Sequence, residues 1–111
     1  KIKKDNSLIF VGSSMGSWIA INLISKFKKQ IKGFLGIASA PEFLENLMWK
    51  KFNKKIKKKI MSEKIYYLEH ANFTYPLTSQ IILDGRKNKV FNKKINLKII
   101  VSLFHGKRER I

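Results

Sequence analysis

Cysteine is absent from this chain, which excludes a disulfide framework and a thiolate metal site. Histidine is nearly as scarce, since His70 and His105 are the only imidazoles and no carboxylate cluster accompanies either. No metal and no cofactor are therefore expected. The two prolines, Pro41 and Pro76, make no proline-rich linker, and no internal repeat divides the chain, so no domain boundary is placed inside it. Phosphate-cradling signatures are missing too: there is no G-x-G-x-x-G and no Gly-Lys-Ser/Thr ending to a glycine-rich loop. One uncharged run, residues 7–25, approaches the length of a membrane span. Gly12, Ser13, Ser14, Gly16, Ser17 and Asn22 interrupt it, and each weakens insertion. The cytoplasm is the default location.

The 111 residues that are present suit at most one small domain. An apolar fraction of 44% and an aromatic fraction of 12% argue against a disordered tail. Acidic side chains number 7 against 24 basic ones, for a net charge of +17. That excess suits nucleic acid or an anionic membrane surface. However, only Arg86, Arg108 and Arg110 are arginine, and the rest are lysine. Lysine, isoleucine, asparagine and phenylalanine make up nearly half of the chain, and their codons are rich in A and T. A genomic bias accounts for such a composition, whereas base and phosphate recognition favours the arginine fork. The charge is therefore read as a solvated lysine surface; the alternative is a small basic module that binds nucleic acid or anionic membrane, with nucleic acid not expected and a membrane surface not favoured.

Along the chain, Leu8 to Val11 forms a short β-branched and aromatic run that reads as a buried strand. A helix is expected over 15–29, with Met15, Ile19, Leu23 and Phe27 on the face against the sheet and Trp18, Ile21 and Ile24 widening it. Residues 31–38 read as a second strand, which makes a βαβ unit and hence parallel pairing. A helix is expected from Pro41 through Phe52. The lysine-dense stretch after it carries Trp49, Phe52, Ile56 and Ile60 at helical spacing. Residues 65–76 read as a loop, 77–87 as a helix and 97–104 as a third buried strand.

The motif that carries chemistry is Gly12-Ser13-Ser14-Met15-Gly16, a G-x-S-x-G sequence. Alone it is a modest signal, arising by chance in about 3% of chains this long. Its context is more specific, because it follows a strand and opens a helix as a nucleophile elbow must. The turn is sharp enough that Gly12 and Gly16 are expected to be small for steric reasons. Ser14 Oγ would then stand above the C-terminal edge of the sheet, with the Met15 N–H directed at a developing oxyanion.

The sequence Val11-Gly12-Ser13-Ser14-Met15-Gly16-Ser17-Trp18, followed by Ala40-Pro41-Glu42-Phe43, resembles a group of alpha/beta-hydrolases. That group includes bacterial members and a mitochondrial acyl-glucuronide esterase and protein-depalmitoylase branch. Leu47-Met48-Trp49, Tyr75-Pro76-Leu77-Thr78, Leu83-Asp84-Gly85-Arg86 and Leu103-Phe104-His105-Gly106 fit in the same order. The resemblance implies an α/β fold of parallel strands with crossover helices, incomplete at both ends, and a helical cap-like insertion at about 42–76. It implies a serine hydrolase of carboxylic esters or thioesters, with Ser14 as nucleophile and a small acyl substrate as partner. The triad acid falls four residues after His105, at Glu109, where relatives usually carry Asp. The base is a histidine beyond Ile111, so His105 and His70 are read as structural. The second oxyanion donor belongs before Lys1, and Met48 and Trp49 are expected to line the acyl pocket. On this reading the chain is a fragment, inactive alone.

Overall fold

The computed structural model describes residues 2–95 and 98–107. In chain order the elements are β1 (Leu8–Ser13), α1 (Met15–Ile24), a 3-10 turn (Ser25–Phe27) and β2 (Ile31–Ile37). A π-helical turn (Leu44–Met48) and a 3-10 turn (Trp49–Lys51) lead to α2 (Lys54–Glu63). Then come β3 (Ile65–His70), β4 (Phe73–Thr78), α3 (Ser79–Lys87) and β5 (Ile100–Phe104). The chain forms two compact units, residues 1–41 with 89–111, and residues 42–88. Among the described residues no helix is long and apolar enough to cross a membrane.

The first unit is a parallel sheet in the order β1–β2–β5, with β1 and β2 paired as the βαβ spacing predicts. Gly12 pairs with Gly36, and Gly36 with Leu103, and Gly12 lies directly against the backbone of α1 at Ser17. Trp18, Ala20, Ile24, Ile31, Phe34 and Val90 are buried in this unit, together with Ser17. The face of α1 differs from expectation. Met15, Ile19 and Leu23 are exposed; Trp18 and Ile24, expected to widen the inward stripe, are buried, and Ser17 and Ala20 are buried beside them. The helix is apolar nearly all round, so periodicity cannot choose its inner face; close approach through small side chains does. Its regular α-helical part also ends at Ile24 and continues to Phe27 as a tighter 3-10 turn.

Strand alternation puts Ile9, Val11, Ile37, Ile100 and Phe104 together on the opposite sheet face. All five are exposed, Ile9 at 70% and Ile100 at 78%. Parallel sheets are normally covered on both faces, and these apolar side chains have the composition of a covered face.

The second unit departs further from the sequence reading. The helix expected over 41–52 is instead the π-helical turn followed by 3-10 geometry, and it stops at Phe52, whose backbone is extended (φ −73°, ψ 140°). Asn53 then starts α2 afresh, its side chain accepting from the Ile56 N–H at 2.9 Å. Residues 65–76, expected as a loop, form an antiparallel β-hairpin with β3 against β4. Its turn has Ala71 at φ 53°, not the Asn-Gly that signals a hairpin. Pro76 is tolerated because β4 is an edge strand. The helix expected to start at Leu77 starts at Ser79, because Leu77 and Thr78 complete β4 and the Thr78 hydroxyl caps α3 at the Ile81 N–H. The third strand of the main sheet starts at Ile100 rather than 97, and Leu97 lies outside the described residues. Leu44, Ile60, Leu77 and Ile82 are the buried apolar residues of this unit.

Candidate active site

Ser14 occupies the junction between β1 and α1 with φ 50° and ψ −119°. A non-glycine residue at such a φ is strained by roughly 1–3 kcal/mol and persists only where its surroundings hold it. Here the hold is visible. The Ser14 N–H donates to the Ile37 carbonyl at 2.9 Å, tying the turn to the end of β2. The Ser14 carbonyl accepts from the Ser17 hydroxyl at 2.7 Å, the Ser17 N–H at 3.2 Å and the Ala40 N–H at 3.4 Å. Both sides of the strained peptide are therefore pinned.

Serine at a helix N-cap ordinarily turns its hydroxyl back onto the first amides. Ser14 makes no such side-chain bond, and the residue is exposed. The strained backbone thus keeps Oγ from capping α1. Beside it, the Met15 N–H opens the helix and has no carbonyl acceptor within it. No acidic side chain lies in the first turn of α1, so nothing there opposes negative charge at this terminus. Ser14 and Met15, the expected nucleophile and oxyanion donor, adjoin at the start of α1.

The flanking glycines are not equivalent. A Cβ on Gly12 would lie 2.5 Å from both the Cα and the N of Ser17, inside the backbone of α1. A Cβ on Gly16 would meet nothing within 4 Å. The steric need expected of both residues holds for Gly12 alone. Ser17 was visible in the sequence only as a break in an apolar run, yet it is fully buried and fastens the turn at Ser14. Its signal, a small polar residue three positions after the serine, is too common to single out.

Ser13, Ile37 and Phe104 share one register row, so Ser14, Ala38 and His105 leave the same C-terminal edge of the sheet. The Ala38 N–H reaches the Phe104 carbonyl at 2.7 Å, extending the ladder by one bond. Neighbouring strands are about 4.8 Å apart, which puts the segment after β5 roughly 10 Å from the elbow. Glu109 follows in that segment and lies outside the described residues. Met48 and Trp49 sit in the second unit, both half-buried. Trp49 is flanked by the Arg86 guanidinium at 4.9 Å and Lys57 Nζ at 5.6 Å, and Arg86 is itself paired with Glu45 at 2.9 Å. No group of three or more metal-ligating side chains occurs among the described residues.

Close to the elbow, Ser39 Oγ is buried without a hydrogen-bond partner. It lies over Gly36, where an added Cβ would also meet Leu103 and Phe34. An orphaned buried hydroxyl costs about 1–3 kcal/mol. Ser39→Ala is expected to raise stability by about 1 kcal/mol, read as a higher urea midpoint at unchanged slope. A lower midpoint would mean that the hydroxyl is satisfied in solution.

No protein-family model and no curated protein matches the chain. Two solved structures do. One is a protein from Agrobacterium vitis S4 assigned as a hydrolase, with a TM-score of 0.79 and 29% identity over 90% of this chain and 41% of its own. The other is mouse alpha/beta hydrolase domain-containing protein 10, with a TM-score of 0.78 and 19% identity over 96% of this chain and 44% of its own. The chain thus spans less than half the length of either. Its parallel sheet, its strand–serine–helix turn and its likeness to both structures identify the chain as part of an alpha/beta-hydrolase fold.

Proposed function

We propose that this chain carries the nucleophile of a hydrolase that cleaves carboxylic esters or thioesters through an acyl-enzyme. The observation that carries the reading is the Ser14 backbone, held at φ 50° by bonds on both sides while Oγ stays free of the helix it caps. In the proposed cycle a histidine takes the Ser14 proton as Oγ attacks the acyl carbonyl. The Met15 N–H and the positive end of α1 stabilise the oxyanion. Collapse expels the alcohol or thiol, which takes the proton from the imidazolium, and water then releases the acid by the same route. Glu109 is the proposed acid that orients the imidazole. Met48 and Trp49 are the proposed apolar contacts for the acyl chain. The order serine, acid, histidine puts the base after Glu109, a place that neither His70 nor His105 occupies.

A fluorophosphonate probe tests the assignment on the full-length protein carrying this segment. Labelling is expected to persist in Ser13→Ala and to vanish in Ser14→Ala; a label retained by Ser14→Ala would sink the proposal. The 111 residues by themselves are expected to hydrolyse a nitrophenyl ester no faster than their Ser14→Ala variant. Turnover clearly above that control would mean that the base lies within them.

A further inference from the structure

We propose that the second unit carries a docking surface for an anionic lipid bilayer, formed by the exposed lysines of α2 and the aromatic end of the β3–β4 hairpin. This surface is independent of the reading of Ser14. Between Glu45 and Glu63 there is no acidic side chain, while Lys50, Lys51, Lys54, Lys55, Lys57, Lys58 and Lys59 all fall in that interval. Codon bias accounts for the number of lysines in the chain but not for seven of the 21 falling within these 17 residues. On α2 the apolar side is already used, because Ile60 is fully buried and Ile56 half-buried. Lys54, Lys55, Lys58 and Lys59 are exposed.

The helix is fixed to the hairpin within this one unit. Phe52 meets Tyr66 edge-on at 6.4 Å, and Lys59 Nζ lies 5.9 Å from the Tyr66 ring. Strand pairing puts Tyr66, Leu68, Tyr75 and Phe73 on one hairpin face. Tyr66 and Leu68 are half-buried, but Phe73 and Tyr75, next to the turn, are 66% and 48% exposed with their rings 6.3 Å apart. Tyr67 projects from the other face at 60% exposure. A hairpin end bearing exposed phenylalanine and tyrosine has the chemistry of a side-chain pair seated at headgroup depth. A cluster of four to eight lysines is what anionic headgroups attract.

The alternative polyanion is nucleic acid, and the side chains favour lipid. Lysine is a point charge without the planar fork that reads bases and phosphates. The unit's single arginine, Arg86, is engaged by Glu45 and Trp49. Trp49 is half-buried, with the Arg86 and Lys57 cations near its ring, so it is not the anchor. The α2 lysines supply attraction, and the hairpin end supplies shallow insertion.

The test is flotation of the 111-residue chain with phosphatidylcholine vesicles, with and without phosphatidylserine, at about 0.15 M salt. Binding is expected only with phosphatidylserine. The triple variant Lys54→Glu/Lys55→Glu/Lys58→Glu should weaken it by roughly tenfold or more. Lys3→Glu/Lys4→Glu/Lys29→Glu changes the charge equally at exposed sites in the first unit and should weaken it by less than roughly threefold. Phe73→Ser/Tyr75→Ser should weaken binding roughly tenfold with an unchanged circular dichroism spectrum. Equal losses in the two triple variants would overturn the proposal, since the attraction would then be diffuse. So would full binding by the Phe73/Tyr75 variant, or tighter binding of a single-stranded oligonucleotide than of the vesicles at the same salt.

Discussion

Ser14→Ala in the full-length protein is expected to lower kcat for ester hydrolysis by roughly a millionfold, with KM little changed. That factor corresponds to about 8 kcal/mol of activation free energy at 1.36 kcal/mol per decade. The size follows from the role proposed for Oγ: without it no acyl-enzyme forms, and the residual rate comes from the oxyanion site and binding alone. The Met15 N–H is a backbone group and survives the substitution, as does the helix terminus behind it. Burst kinetics with a nitrophenyl ester separate the steps, because the burst should disappear with the serine. A loss of only tenfold, with a burst retained, would assign the nucleophile elsewhere.

Gly12→Ala is expected to destabilise the first unit by about 3 kcal/mol or more, whereas Gly16→Ala should be neutral or stabilising by up to about 1 kcal/mol. The contrast rests on what each new methyl meets. At Gly12 the methyl falls 2.5 Å from two backbone atoms of Ser17, and no rotamer change can relieve a backbone clash. Relief requires α1 to lift from β1, which would strain the 2.7 Å bond from the Ser17 hydroxyl to the Ser14 carbonyl. At Gly16 the methyl enters open space on the first turn of a helix, where alanine has the better propensity. Urea denaturation of both variants beside the parent chain gives the comparison. A Gly12 variant as stable as the parent would show that the helix accommodates the methyl.

The strand–helix–strand order of the first unit was legible because each element has a short-range cause. Leu8 to Val11 and residues 31–37 are apolar runs of strand length, and the G-x-S-x-G turn between them and the intervening helix force parallel pairing. The strand–helix turn was legible for the same reason: Gly12 must be small, and Ser14 follows the last residue of β1. The inner face of α1 was not legible, since a helix apolar on nearly every side carries no phase. The β3–β4 hairpin was missed because Ala71-Asn72 is not a recognised turn pair and Pro76 argues against a strand. Only strand pairing and burial of Leu77 decide that segment.

The amino-acid sequence alone determined the fold class, the position of the serine and the absence of thiolate or clustered imidazole ligands, because these depend on residue type and local order. The tertiary structure decided what depends on distance across the chain. It set the Ser14 backbone against Ile37 and Ala40, made Gly12 indispensable and left Gly16 free, and divided the chain at residues 42 and 88. It also broke the lysine stretch at Phe52 and turned an apparent loop into an exposed aromatic hairpin. Backbone strain and steric contact arise between residues remote in sequence, and no local pattern of residue types encodes them.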